Sequence, residues 1–445
     1  MNKSFFLTQR QLRQKRLHAL KKGFLGLIDL GSSKITCFLL NFSVDENEKK
    51  NSKNNLIPKN IPFRVTGVAT TKSRGISNGE ITSIEEVEKA IRTVVQASQK
   101  MAGVIIEDVM VSFSGGNLNS NSLIGKTEIE SSVINEKDIG KALGNCDFND
   151  FIAEEEIIHA IPVNFTIDKR SGFIDPIGQS GEILEVDLHL IAVQKRIIQN
   201  IIQCFKRCQL ELSGIVSASY VSGVSSLIED ELQHGAACID FGCHTTGITV
   251  FLNRQLVFAS EINLGGETIT KDISTAFQIS LEISERIKNL HGGVIANNMD
   301  DREIVDITNE KLQNSYERVT ITRSELIGII KPRIEEILEF VKLELKKANF
   351  YDLDNKKIII TGGSSQIPGL LDISEKIFHS SVRIGRPLRL QGLPHATNGP
   401  EFSSIIGLAL YACHPNDECW DFRIPSDDIT LNKINNIFSW LVKNW

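Results

Sequence analysis

The sequence predicts an α/β protein of two similar halves that face each other, and three stretches predict it. DLGSSK at 29–34 and DFGCHTTG at 240–247 each follow an apolar strand and precede another, and each opens with an aspartate, an apolar residue and a glycine. They lie about half a chain apart, the spacing of an internal repeat. IIITGGSSQIPG at 358–369 reads as a strand, a glycine-rich turn and the start of a helix.

The bulk numbers fit such a protein. The chain has 445 residues, 41% hydrophobic and 23% charged, which is globular and too long for one core, so roughly two to four domains are expected. A net charge of −6 supplies no basic field, so nucleic acid is excluded as a partner. The 8 cysteines form no CxxC pair and follow no signal peptide, which points to a reducing cytoplasm. Cys204 and Cys208 are spaced for one face of a packed helix. No stretch reaches the about 20 apolar residues needed to cross a bilayer.

In order, residues 1–22 are basic and free of acids and read as a flexible arm. Residues 23–42 are two apolar strands around the first turn, and 44–60 are a polar surface loop. A strand follows near 63–70. Ser83 then precedes a helix with Ile84, Val87, Ile91, Val94 and Val95 on one stripe. VMVSFSGG (109–116) is a strand ending at glycines, EVDLHLIAV (185–193) alternates like a strand, and KRIIQNIIQCFKRCQL is an amphipathic helix. GAACIDFGCHTTGITVFLN (235–253) repeats the strand–turn–strand pattern, and a charged helical region runs over 266–350. A strand, turn and helix over 356–378 and one more helix after Gly407 precede a polar linker.

The repeated turns carry chemistry. Gly, Ser and Thr in a hairpin turn aim backbone N–H groups and hydroxyls outward, where they can cradle phosphate oxygens. Lys34 adds positive charge. An aspartate beside phosphate is repelled unless a metal lies between them, so Asp29 and Asp240 point to a hydrated Mg²⁺ held through water. Gly362 and Gly363 end a strand where a ligand can pass close to bare backbone.

On these motifs the chain resembles the actin/Hsp70/sugar-kinase superfamily, and within it the bacterial cell-division FtsA family over nearly its whole length. The matching stretches are GLIDLGSSK (26–34), SRGISNGEI (73–81), AIPVNFTID (160–168), DPIGQSG (175–181), TGGSSQIPGL (361–370) and VRIGRP (382–387). The resemblance implies an actin-like two-lobed ATPase fold that binds ATP and Mg²⁺. It makes Asp29, Gly31, Ser32, Ser33 and Lys34 a first phosphate loop and Asp240, Gly242, Thr245 and Thr246 a second. Glu285 and Lys288 match a helix that approaches the nucleoside, and Gly362, Gly363 and Ser364 match an adenosine loop. The chain departs from the family at Cys243 and His244, where the second loop usually carries glycines, and at Ser364, another common glycine. ATP binding is the expectation; hydrolysis is expected to be weak or absent.

The implied subdomains are 1A at 23–83, an inserted 1C at 84–165, 1A again at 166–212, 2A at 213–260, 2B at 261–335, 2A at 336–387 and a return to 1A at 388–412. A linker at 413–430 and an amphipathic helix at 431–445 end the chain. In the family, 2B receives the acidic C-terminal tail of the tubulin-like division protein FtsZ, and Arg318 and Arg323 are the basic candidates to meet it. Self-association into filaments and contact with later divisome proteins are implied as well.

The final helix has its own reading. Leu431, Ile434, Ile437, Phe438, Leu441, Val442 and Trp445 recur at three- and four-residue steps, with Trp440 at the stripe's edge and Lys433 and Lys443 beside it. Such a helix suits the surface of an anionic membrane. The expectation is a peripheral protein on the cytoplasmic face of the inner membrane at the division site. A cytoplasmic small-molecule kinase of the same superfamily is the alternative, and a pilus-assembly scaffold of similar fold is a third reading.

Overall fold

The computed structural model describes residues 3–42, 63–148, 155–297, 299–308, 319–353, 356–413 and 418–419. The expected loop at 44–60, Arg318, and the expected terminal helix with Ile434, Ile437, Phe438, Trp440, Leu441, Val442 and Trp445 lie outside the described residues. Helix α1 (Lys3–Lys22) leads into β1 (Phe24–Leu30), β2 (Lys34–Asn41), β3 (Arg64–Lys72), the short hairpin β4 (Ile76–Ser77) and β5 (Glu80–Ile81), α2 (Ile84–Ala102) and β6 (Asp108–Phe113). Next come β7 (Asn119–Glu128), α3 (Glu136–Gly144), β8 (Glu155–Ile167), β9 (Arg170–Phe173) and β10 (Ile183–Gln194). Then follow α4 (Lys195–Arg207), β11 (Glu211–Ser217), α5 (Ala218–Ser226), α6 (Glu229–His234), β12 (Ala236–Phe241), β13 (Thr246–Leu252) and β14 (Gln255–Ile262). The last group is α7 (Gly266–Phe277), α8 (Leu281–His291), β15 (Ile304–Asp306), β16 (Thr320–Thr322), α9 (Arg323–Lys347), β17 (Lys357–Thr361), α10 (Leu370–Phe378), β18 (Ser381–Ile384) and α11 (Ser403–Cys413).

Two five-stranded sheets repeat one topology. Their orders are β3-β2-β1-β6-β11 and β14-β13-β12-β17-β18. In each, three strands form an antiparallel meander and two more add in parallel. The repeat expected from the two acidic turns is therefore a duplicated sheet, with each turn joining the first two strands of its meander.

Helices α5 and α11 join the halves. Both are buried along most of their length; α11 is apolar beyond its first two residues, as suits a helix inside a protein. Tyr220, Val221, Ile405, Ile406 and Leu408 share one core with Phe38 and Val111 of the first sheet and Phe251 of the second. A Cβ on Gly407 would lie 1.8 Å from the Val221 carbonyl oxygen, so the helices touch backbone to backbone. The other face of the second sheet packs against α7, α9 and α10 in a separate core.

Local signals behave as expected in α2. The Ser83 hydroxyl accepts from Glu86 N–H at 3.4 Å, Gly103 ends the helix at φ 70°, and Val87, Ile91, Val94 and Val95 are buried. Two expectations differ. The inserted unit is a four-stranded sheet, β7-β10-β8-β9, backed by α3 and holding its own core of Ile139, Leu143, Phe165 and Leu188. It spans 119–194 rather than 84–165, because β6 pairs with β1 and β11 in the first sheet and α2 packs on β2 and β3. The basic arm is helix α1 rather than a flexible segment. Leu12, Arg16 and Ala19 fall on one buried face, and Lys15 and Lys22 pair with Glu211 and Asp108 at 3.0 and 3.4 Å.

The segment Glu418–Cys419 returns to the body. Glu418, 1% exposed, accepts from the Tyr411 hydroxyl at 2.6 Å, the Ala160 N–H at 3.1 Å and the His159 Nδ1 at 3.1 Å. His159 Nε2 accepts from the Ser217 N–H at 3.2 Å, which leaves the ring proton on Nδ1. Cys419 joins the core of the inserted sheet.

Candidate functional site

The carboxyl ends of β1 and β12 face each other across a cleft of about 530 Å³ between the two sheets, within the range of small-molecule sites. Its walls include Asp29, Gly31, Ser32, Ser33 and Lys34 from one turn, Asp240, Gly242, Cys243 and Thr245 from the other, and Gly362, Gly363 and Ser364 from the turn after β17. Glu285 and Lys288 line it from α8. Of the residues the sequence nominated for this site, Thr246 alone is off the wall. As the first residue of β13 it is fully buried, and its hydroxyl donates to the Leu264 carbonyl at 2.8 Å.

Each aspartate is held by serines. Asp29 Oδ1 accepts from Ser112 at 2.8 Å and Ser404 at 2.7 Å. Asp240 Oδ2 accepts from Ser222 at 2.5 Å. Burial pushes Asp29 above the usual carboxyl range, although Ser404, Ser112 and Lys34 oppose it. Burial pushes Asp240 up to about 6, opposed by Ser222 and reinforced by Asp29. Two carboxyls that raise each other's cost of ionising gain from a cation between them. That fits the water-held Mg²⁺ the sequence implied. Among the described residues no group of three or more His, Cys, Asp or Glu gathers to hold a metal directly.

The lysines are both committed. Lys34 Nζ lies 3.4 Å from the centre of the Phe402 ring; burial lowers its pKa, while Glu401 and then Asp29 raise it. Lys288, 8% exposed, donates to the Gly266 carbonyl at 2.9 Å, the Thr270 hydroxyl at 2.8 Å and Glu285 at 2.6 Å. Burial raises Glu285, but Lys288, Thr270 and Asn289 together leave it below the ordinary carboxyl value.

The loops lock onto one another. A Cβ on Gly362, whose φ is 86°, would lie 2.4 Å from Asp240 Oδ1, so this position admits only glycine. Gly363 faces open space apart from Glu401. The Ser364 hydroxyl donates to the Gly242 carbonyl at 2.9 Å. Gly266 N–H and Glu267 N–H donate to the Gly242 and Cys243 carbonyls at 3.0 and 2.7 Å, which seats the second loop on the first turn of α7. Neither Cys243 nor His244 has a positive φ, so their replacement of glycines strains nothing. Burial pushes the Cys243 thiol up to about 11, so it stays protonated.

Sequence reasoning missed Ser112, Ser222, Ser404, Glu401 and Glu261. Glu261 on β14 accepts from the Gly115 N–H at 2.7 Å across the lobes. Burial pushes it up to about 7, against bonds from Thr245 and Gly115 and with Asp240 adding to the rise. A signal existed for Ser404, a polar residue at the head of a helix that is apolar beyond it; Ser222 is one of four serines in α5 and does not stand out. Arg323, expected to meet an acidic peptide, is engaged within the chain. Its guanidinium pairs with Asp300, which is 1% exposed, and Nε donates to the His291 carbonyl at 3.0 Å.

A duplicated meander-plus-parallel sheet, clasping a cleft between loops at matching strand ends, defines the two-lobed actin-like class. Solved structures agree at the level of fold. A chain of a PilM–PilN type IV pilus biogenesis complex matches with a TM-score of 0.59 at 13% identity, covering 87% of this chain and 98% of that one. MreB5 of Spiroplasma citri bound to ADP matches with a TM-score of 0.51 at 12% identity, covering 87% and 95%. Sequence comparison is more specific. The model "Cell division protein FtsA" matches residues 237–407, and "SHS2 domain inserted in FTSA" matches 115–192, close to the four-stranded insert. The cell division protein FtsA of Rhizobium meliloti (strain 1021) is 31% identical over 400 residues, covering 90% of this chain and 89% of the relative. That of Pseudomonas aeruginosa is 28% identical over 423 residues, covering 94% and 97%. The chain belongs to the FtsA family of cell-division proteins.

Proposed function

We propose that the chain is an ATP-binding tether that holds FtsZ filaments to the cytoplasmic face of the inner membrane and recruits later divisome proteins. The observation that carries the nucleotide part is the convergence of the three loops on one cleft, with Asp29 and Asp240 at its floor. MreB5, whose fold is similar, has been solved with ADP. On this reading Gly31 to Lys34, Gly242 and Thr245 hold the phosphates, Glu285 and Lys288 approach the nucleoside, and Gly362 to Ser364 border the base. Asp29 and Asp240 hold Mg²⁺ through water, and the ion supplies neutralising charge to the phosphates. Arg318 and Arg323 remain the basic candidates for the FtsZ contact within 261–335, Arg323 being held in place by its pairing with Asp300.

The tail supplies the membrane part. No helix among the described residues is long and apolar enough to cross a membrane, and residues 431–445 are the proposed interfacial helix. Partial burial of one short helix binds reversibly. An array of tails on a self-associated filament binds far more firmly by avidity. The test is co-sedimentation with anionic vesicles of the full chain, a version ending at Thr430, and D240A, each with and without Mg²⁺ and ATP. The full chain should pellet, more so with nucleotide. The truncated chain should stay soluble, and D240A should lose the nucleotide effect while keeping basal binding. Equal pelleting of the full and truncated chains overturns the tether.

A further inference from the structure

The second loop carries a histidine where the family usually has glycine, and that side chain does not point into solvent. His244 is 8% exposed. Its Nδ1 accepts from the Asn78 N–H at 3.0 Å, and its Nε2 lies 3.2 Å from the Glu267 carboxylate. An Nδ1 that accepts from an amide carries no proton, so the ring proton sits on Nε2 and donates to Glu267. One side chain therefore bonds to both lobes: Asn78 belongs to the hairpin of the first half, and Glu267 opens α7 of the second.

We propose that His244 is a positioning residue that latches the two lobes together, by accepting the Asn78 N–H and so fixing the second loop against the hairpin at 73–81. The hairpin is built to hold that amide still. Asn78 and Gly79 have φ of 49° and 72°, the signs of a tight type I′ turn, which Asn-Gly favours. A Cβ on Gly79 would lie 2.2 Å from the Gly115 Cα, so the tip is wedged against the loop after β6. At the hairpin's base, Ser73 N–H donates to the Ser33 carbonyl at 2.9 Å. Through Ser33, Ser73, Asn78 and His244 the hairpin straps the first loop to the second. Glu267 in turn is held by Lys271 at 2.6 Å and by its own N–H on the Cys243 carbonyl. The histidine is thus braced on its own lobe while it reaches across to the other. The consequence for ligand rests on the nucleotide reading above: a latched cleft presents both loops to one phosphate chain in advance, and pre-organisation strengthens binding.

The two ring nitrogens can be tested separately in the full chain. In H244N the Oδ1 stands in for Nδ1 and keeps the Asn78 bond. In H244Q the Nε2 keeps the Glu267 bond. H244A keeps neither. Amide hydrogen exchange over 76–81 is measured without ligand, and affinity for a non-hydrolysable ATP analogue is measured with Mg²⁺. H244N should resemble the parent protein. H244Q and H244A should exchange the Asn78 amide about tenfold faster and bind the analogue about tenfold more weakly, the scale of one hydrogen bond. If H244Q resembles the parent and H244N resembles H244A, the ring serves Glu267 alone and the latch is overturned. Unchanged exchange in H244A overturns it as well. Should the parent protein bind no analogue, the nucleotide reading falls and the exchange comparison still decides the latch.

Discussion

Asp240 and Glu261 keep their protons to about 6 and about 7, because burial withdraws the water that would stabilise their charge. In the unfolded chain both ionise near pH 4. Between about pH 4 and 7 the folded state therefore binds more protons than the unfolded state, and stability falls as pH rises. The contribution is fully present below about pH 4 and is lost as pH passes the two folded-state values. Buried His189, held down to about 4, works the other way up to its unfolded value near 6.5, so urea unfolding of the ligand-free protein should show a net decline from pH 5 to 8 that is smaller than the two carboxyls alone would give. D240N should flatten the lower part of that decline, by on the order of 2 kcal/mol. A rise in stability over the same interval contradicts the burial argument. At this scale the sequence revealed much of the cleft, since Asp29, Gly31, Asp240, Gly242 and Gly362 lie at or just past the ends of buried strands. It did not reveal Ser404 on Asp29, because those residues stand 375 positions apart. It did not show that strand alternation turns Thr246 away from the cleft, nor that Arg323 pairs with Asp300, which carries no local mark.

Whole elements were legible where their pattern is local and hidden where their partners are distant. The stripe and cap of α2 announce a helix, and the paired acidic turns announce two hairpins. Nothing near β6 says that its neighbours are β1 and β11, so the insert's boundary was placed about 30 residues early. Helix α1 was missed because a basic segment without acids lacks the charges that mark a helix start; its docking rests on Leu12, Ala19 and two ion pairs. The crossing of α5 and α11 is the element contact most open to test. G407A places a methyl group where the Val221 carbonyl stands, and the helices must separate. The expected loss is about 1–3 kcal/mol, read as a lower urea midpoint. An unchanged midpoint means that the helices can part without penalty.

At the scale of the molecule, Glu418 ties together parts that are far apart in the chain. Its carboxylate gathers His159 and Ala160 of the insert and Tyr411 of α11, while His159 holds Ser217 at the end of β11. Removing it strands three buried donors. E418A should destabilise the protein by about 3 kcal/mol and should expose the chain after Cys413 to protease before the rest unfolds. Protection equal to that of the parent protein would mean that the segment is held by Cys419 alone.

That anchorage also sets a leash. The chain is fastened to the body at Cys419, and the proposed interfacial helix begins at Leu431. The stretch between them, drawn out fully, spans about 40 Å. A body bound to a membrane through this tail rides within that distance of the lipid. A tug on the tail is borne first by the insert and the first lobe, through Glu418 and Cys419, and reaches the second lobe through Tyr411 and the crossing of α11 on α5.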